Sequence, residues 1–222
     1  MIRLRQRTPE EVVARHSSTP ARVYDTDSIH VNRIKVARRT LGKTIMSWNP
    51  TPIHKRARVI ELGCGMADIS GFFSWGHDVV GYESTVALLP LIARRWPWMD
   101  IRAGDIQSIP PQDCDFLVLC EILEHLADPE KLCREWLPRA EYCMLSSPIE
   151  EHLLDFSSGK LTDPATGEPL EDLSGGEHMW SFESGDFERI LAEGGHTVLD
   201  SATAKVGSLP IWMGVSRRLG GQ

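Results

Sequence analysis

A doubly wound α/β domain is the fold this sequence predicts, with a seven-stranded, mostly parallel sheet, an antiparallel last strand and an N-terminal helical cover. Three observations predict it. From Ala57 onward, short apolar runs alternate with helical stretches at a spacing that suits parallel pairing and right-handed crossovers. The first run ends in a Gly-x-Gly turn that opens the next helical stretch. The last two runs, His196–Ala204 and Pro210–Ser216, are close enough in sequence to pair antiparallel.

The elements follow in order. Thr8-Pro9-Glu10-Glu11 resembles a capped helix start. A longer helix begins near Ser28, with Ile34, Ala37, Leu41, Ile45 and Trp48 at three-and-four spacing, and Asn49-Pro50-Thr51-Pro52 breaks it. Strands are expected at Arg58–Leu62, Asp78–Tyr82, Met99–Arg102, Phe116–Cys120 and Tyr142–Ser146. Helices are expected at Ala67–Trp75, Val86–Arg95 and Pro129–Leu137. Residues 148–180, rich in Pro, Gly, Ser and acids, read as a lid-like insertion. A further helix, Phe182–Glu193, stops at Gly194-Gly195. Residues 1–56 then form the helical cover and residues 57–222 the main domain.

At 222 residues and 41% hydrophobic, the chain can bury one full-sized core. Its net charge of −7 argues against wholesale wrapping of nucleic acid. The charge is split, however: residues 1–58 hold 13 Lys and Arg against 4 Asp and Glu, and the remainder 11 against 27. That suits either a solvated basic helix on an acidic body or a surface for anionic partners. Five cysteines without CxxC spacing suit reduced, buried thiols. The basic start lacks the apolar stretch of a secretory signal, and no run is long enough to span a bilayer. A soluble, cytoplasmic protein without a membrane partner is expected.

Residues 59–69, VIELGCGMADI, join a strand to a glycine turn and a helix start, where backbone can approach a ligand closely. The third glycine of a dinucleotide pattern would fall at Asp68, placing a carboxylate beside a pyrophosphate. Glu61 precedes the turn, Glu83 ends the second strand where an acid can bind ribose hydroxyls, and Asp105 follows the third. An acidic mouth suits a ribose-bearing ligand that is cationic and carries no phosphate. S-adenosylmethionine, with a sulfonium and an ammonium, has that character.

VIELGCGMADI, VVGYE, AGDI and CDFLVLCEILEHL resemble the successive motifs of the class I methyltransferases, whose sheet is Rossmann-like. The resemblance covers roughly residues 57–217. It implies that Glu61, Gly63, Cys64 and Gly65 line the methionine end of S-adenosylmethionine, that Glu83 binds the ribose, and that Asp105 and Ile106 flank the adenine. Cys120 and Glu121 would close the pocket.

Within Cys120–Leu126, CEILEHL, the residues Glu121, Glu124 and His125 are spaced i, i+3 and i+4, so a helical turn would project all three to one side. With His178 from GGEHMWSF they supply oxygen and nitrogen donors for one divalent ion, Mg²⁺, Mn²⁺, Fe²⁺ or Zn²⁺. The pattern resembles two branches, the small-RNA 2′-O-methyltransferases and the O-methyltransferases of quinone biosynthesis. The former would give Glu121, Glu124, His125 and His178 as metal ligands. Without a metal, His125 or His178 suits a general base for a hydroxyl. The expected function is O-methylation of a small-molecule hydroxyl acceptor. The alternatives are a metal-dependent 2′-O-methyltransferase acting on an RNA 3′ end and a non-catalytic S-adenosylmethionine-binding protein. Trp180 suits either a cover over the pocket or an anchor for the following helix.

Overall fold

Burial along the strands sets the layers of the fold. The computed structural model describes residues 2–3, 28–48, 56–149, 154–155, 160–161, 180–206 and 209–220. Seven strands form one sheet: β1 (Arg58–Leu62), β2 (Asp78–Glu83), β3 (Asp100–Ala103), β4 (Cys114–Cys120), β5 (Ala140–Pro148), β6 (His196–Val206) and β7 (Leu209–Arg218). Their order is β6-β7-β5-β4-β1-β2-β3. Strands β1 to β5 pair parallel wherever they meet, and β7 runs antiparallel to both β5 and β6. This is the expected Rossmann-like arrangement.

The central strands are buried on both faces, so they read as continuous apolar runs. Successive side chains alternate between two cores. Ile60, Leu62, Leu117 and Leu119 enter one, with α3 (Pro129–Trp136) and α4 (Ser184–Glu193) packed over it. Val59, Phe116 and Val118 enter the other, under α1 (Ser28–Ser47) and α2 (Leu89–Arg95). Helix α1 buries Ala37, Leu41 and Ile45 there, the stripe its spacing predicts. Helix α3 starts at Pro129 behind an Asp128 side chain that accepts from the Lys131 amide at 2.8 Å. Helix α4 starts with a capping box between Glu183 and Asp186.

One expected helix does not form. Over Ala67–Trp75 only a 3-10 turn, Gly71–Phe73, is present. The Ser70 amide and hydroxyl are both drawn to Glu61, and the Ser74 hydroxyl donates to the Gly71 carbonyl at 2.7 Å. Such side-chain bonds compete with helical ones. Gly71 also lies against Trp96, where an added Cβ would come within 2.6 Å of the ring, so tertiary contact replaces local propensity here.

The helix start expected at Thr8 lies outside the described residues, as does most of 148–180. Within that stretch Leu154–Asp155 pairs with Lys160–Leu161, and Trp180–Ser181 pairs with Ile2–Arg3. Ile149 bridges to Phe182. All five cysteines are free; Cys64, Cys114, Cys133 and Cys143 are buried, and burial pushes Cys114 and Cys133 up to about 12. No helix among the described residues is long and apolar enough to cross a membrane.

Candidate active site

The strand order reverses between β1 and β4, so connections leave these neighbours in opposite directions and open a crevice at their carboxyl ends. Two turns form its walls. The turn after β1 carries Gly63 (φ 66°) and Gly65 (φ 52°), in the left-handed region that favours glycine. The turn after β4 carries Glu121. The walls touch: a Cβ on Gly63 would fall 2.3 Å from Ile122 Cδ1. Among the described residues, the two non-glycines with positive φ are Ala67 (53°) and Glu121 (54°), one in each wall. Backbone strain of this kind persists only where its surroundings enforce it.

The acids differ in state. Glu61 is 3% exposed and accepts from the Ser70 hydroxyl and amide. Burial pushes it up to about 7 against those bonds, with the charges of Asp68 and Glu83 adding to the rise. Glu83 is also buried; its Oε2 accepts from the Gly65 amide at 2.8 Å and its Oε1 from the Thr85 amide at 2.7 Å. Asp68 lies between Arg95 (2.8 Å) and Arg38 of α1 (3.3 Å), and the Arg38 Nε also donates to its carbonyl. Asp105 is exposed and accepts from the Gln107 amide (3.0 Å) and the Ser108 hydroxyl (2.9 Å), closing its own turn beside buried Ile106. The acidity of the crevice is therefore concentrated in Glu61 and Glu83, since Asp68 is balanced by two guanidinium groups.

The CEILEHL segment departs from the expected one-sided cluster. Glu121 turns left-handed out of β4, and only Leu123–His125 form a 3-10 turn. Glu121 Oε1 accepts from the Ser146 hydroxyl and Glu124 Oε2 from the Ser147 hydroxyl, both at 2.8 Å. Ser146 and Ser147 are consecutive in β5 and point to opposite faces of the sheet, so the two carboxylates are drawn apart. His125 Nε2 is 3.8 Å from Glu124 Oε1, and Glu124 is 1% exposed. His178 lies outside the described residues. Among the described residues, no group of three or more His, Cys, Asp and Glu could hold a metal ion. The expected donor set of Glu121, Glu124, His125 and His178 thus includes a residue outside those described.

Several residues of the site carry no role that their sequence positions announced. Ser70, Ser146 and Ser147 each hold a carboxylate, and Gln107 accepts from the amides of Ala127 and Asp128 just past CEILEHL (3.1 and 3.3 Å). The run MLSSP, two hydroxyls ending an apolar strand, is the signal for the β5 pair. Trp180 is partly buried and donates from Nε1 to the Leu126 carbonyl at 2.7 Å, which anchors it beside CEILEHL.

Residues 60–137 match the family described as a methyltransferase domain. With its sheet order and glycine turn, the chain is similar over these residues to the class I S-adenosylmethionine-dependent methyltransferases. No curated protein matches it in sequence. Among solved structures it is similar to magnesium protoporphyrin IX methyltransferase from Synechocystis PCC 6803 with bound SAH, at 13% identity and a TM-score of 0.72, covering 95% of this chain and 99% of that one. The N-methyltransferase NodS from Bradyrhizobium japonicum WM9, in complex with S-adenosyl-L-homocysteine, is similar at 12% identity and a TM-score of 0.68, covering 96% and 100%. The [4+2]-cyclase SpnF is similar at 12% identity and a TM-score of 0.57, covering 86% and 81%. At these identities the likeness is one of fold.

Proposed function

We propose that the crevice binds S-adenosylmethionine and that the enzyme methylates a hydroxyl oxygen on a small-molecule acceptor. The observation that carries this reading is the buried Glu83 carboxylate at the end of β2, held by the Gly65 and Thr85 amides. Each of its oxygens has lone-pair capacity left for a ribose hydroxyl. Glu61 and the backbone of Gly63, Cys64 and Gly65 take the methionine end, where a cationic ligand meets acid and no phosphate needs neutralising. Asp105 and Ile106 flank the base, and Cys120 and Glu121 close the pocket from β4.

The bound donor supplies a methyl carbon on a sulfonium. The chain's task is to align the acceptor oxygen with that carbon and the sulfur behind it. The C–O bond forms as the C–S bond breaks, and the electron pair leaves with sulfur. The hydroxyl proton goes to His125. Glu124 Oε1, 3.8 Å from the imidazole, is beyond hydrogen-bond range. His178 is the second candidate for this role.

Calorimetry with S-adenosylmethionine and its demethylated product tests the binding reading, and no heat with either on folded protein overturns it. A hydroxyl-acceptor screen read by mass spectrometry tests the transfer. Binding without methylated product would favour the cofactor-binding alternative. His125→Asn should then lower turnover with little change in donor affinity.

A further inference from the structure

We propose that the face formed by α1, the Gly71–Phe73 turn and α2 docks the protein onto an anionic lipid surface. These elements form one layer. Arg38 of α1 lies over the rings of Phe72 (5.4 Å) and Trp96 (5.6 Å), and a Cβ added at Gly42 would lie 3.5 Å from the Phe73 ring. Ala37, Leu41, Leu88 and Ile92 all turn inward to the same core. Whatever these elements present outward therefore faces one way.

What they present is unusual in this acidic chain. Residues 28–48, 69–77 and 84–99 contain seven Lys and Arg and no Asp or Glu, in a protein of net charge −7. Arg38 and Arg95 turn to Asp68, whereas Lys35, Arg39, Lys43 and Arg94 are exposed. The helical period places Lys35, Arg39 and Lys43 opposite the buried stripe Ala37-Leu41-Ile45. Of the nine exposed large apolar residues among those described, seven lie in this layer: Val36, Met46, Phe72, Trp75, Val86, Leu91 and Trp98. Met46 is 88% exposed, Trp75 74% and Trp98 71%. The two tryptophans sit in the turns that lead into the neighbouring strands β2 and β3.

Charge and shape together select the occupant. The exposed acids that border the tryptophan turns, Asp78 and Asp100, are paired with Arg56 (3.1 Å) and Arg102 (2.6 Å), so the cations of the layer call for an anionic partner. A nucleic acid would use the cations and stack on the rings, but it has no use for exposed Met46, Leu91 and Val36. A bilayer uses all three kinds of group: phosphate headgroups for the cations, the interface for tryptophan, and the acyl boundary for the aliphatic side chains. The sequence excluded a membrane partner only because no run spans one, and adsorption to a surface needs no span.

The test is co-sedimentation of the full chain with vesicles of phosphatidylcholine alone or mixed with phosphatidylglycerol, at low and high salt. Binding is expected only to the mixed vesicles, weakening with salt and accompanied by a blue shift of tryptophan emission. The variant K35E/R39E/K43E should lose at least about a hundredfold in vesicle affinity. W75S/W98S should bind more weakly and lose most of the emission shift. Circular dichroism melts of both variants establish that they fold. Absence of binding to mixed vesicles at low salt overturns the proposal, as does equal binding to neutral vesicles or full binding by both folded variants. So does an RNA oligonucleotide that displaces the wild type from vesicles at lower concentration than soluble phosphatidylglycerol. Self-association abolished by the same charge reversals would assign the face to a second copy of the chain.

Discussion

The carboxylate of Glu83 reaches from the end of β2 to the amide of Gly65, 2.8 Å away, and so holds the glycine turn of the neighbouring strand in shape. Its other oxygen fixes the Thr85 amide at 2.7 Å, the start of the next loop. A single buried acid therefore organises both sides of the proposed nucleoside site before any ligand arrives. Ligand and backbone would share its oxygens, so the bonds it already makes position it for the ribose.

Removing that acid should cost both folding and binding. Glu83→Ala loses charge-assisted hydrogen bonds worth about 1.5–3 kcal/mol each. Affinity for S-adenosylmethionine is expected to fall at least about tenfold by calorimetry, since each 1.4 kcal/mol is a factor of ten. Glu83→Gln, which keeps one acceptor oxygen, should lie between the two. Wild-type affinity in Glu83→Ala would remove the ribose assignment.

Glu61 gives the protein a pH dependence of known sign. Its carboxyl is raised from 4.5 to about 7 in the folded chain, so between those values the folded state holds a proton that the unfolded state releases. Stability should therefore fall as pH rises through that window, by about 3 kcal/mol at most. Glu61→Gln should flatten this slope and be more stable than wild type above the window, as read by urea denaturation. Donor binding should run the other way in the wild type, tightening as the acid ionises to meet the ammonium, and should lose that pH dependence in the variant.

Gly63 is held by conformation and by space at once. Gly63→Ala must adopt φ 66° and place its Cβ 2.3 Å from Ile122 Cδ1. Overpacking and left-handed strain together should cost roughly 2–4 kcal/mol. Trimming the opposite wall in Gly63→Ala/Ile122→Ala should recover the steric part but leave the backbone part, a non-additivity that a double-mutant cycle measures. Full additivity would show that the walls do not touch as described.

The opposed directions of Glu121 and Glu124 bear on metal dependence. Because their hydroxyl partners face opposite sides of β5, turnover is expected to survive excess EDTA. Loss of activity restored by one added divalent ion would show instead that these acids converge with His178 in the working enzyme. Ser147→Ala, which frees Glu124 Oε2 from its hydroxyl, should reduce turnover without changing sensitivity to the chelator.

The sheet was readable because strands buried on both faces must be continuous apolar runs, and β1 ends where its run ends. Strand β5 outruns its apolar stretch at both ends, because backbone pairing with β4 and β7 carries it through Ser146, Ser147 and Pro148. The helix expected over Ala67–Trp75 failed because Glu61 and Trp96, distant in sequence, claim Ser70 and Gly71. At the site, the glycine turn and its acids stood out by type and spacing. The serine partners did not, because Ser146–Glu121 and Ser147–Glu124 span 25 and 23 residues and a hydroxyl at a strand end has no periodicity. The CEILEHL segment turns helically only over Leu123–His125. Glu121 leaves β4 through a left-handed conformation that nothing in its residue type announces.

The Ile149–Phe182 bridge and the latch from Trp180 to Leu126 have a consequence for how this enzyme could be remade. Positions 149 and 182 lie side by side on the scaffold, so the ends of any segment that joins them are already close. Closure entropy changes only slowly with loop length, so grafts of very different size can be exchanged there while the sheet and nucleoside crevice stay intact.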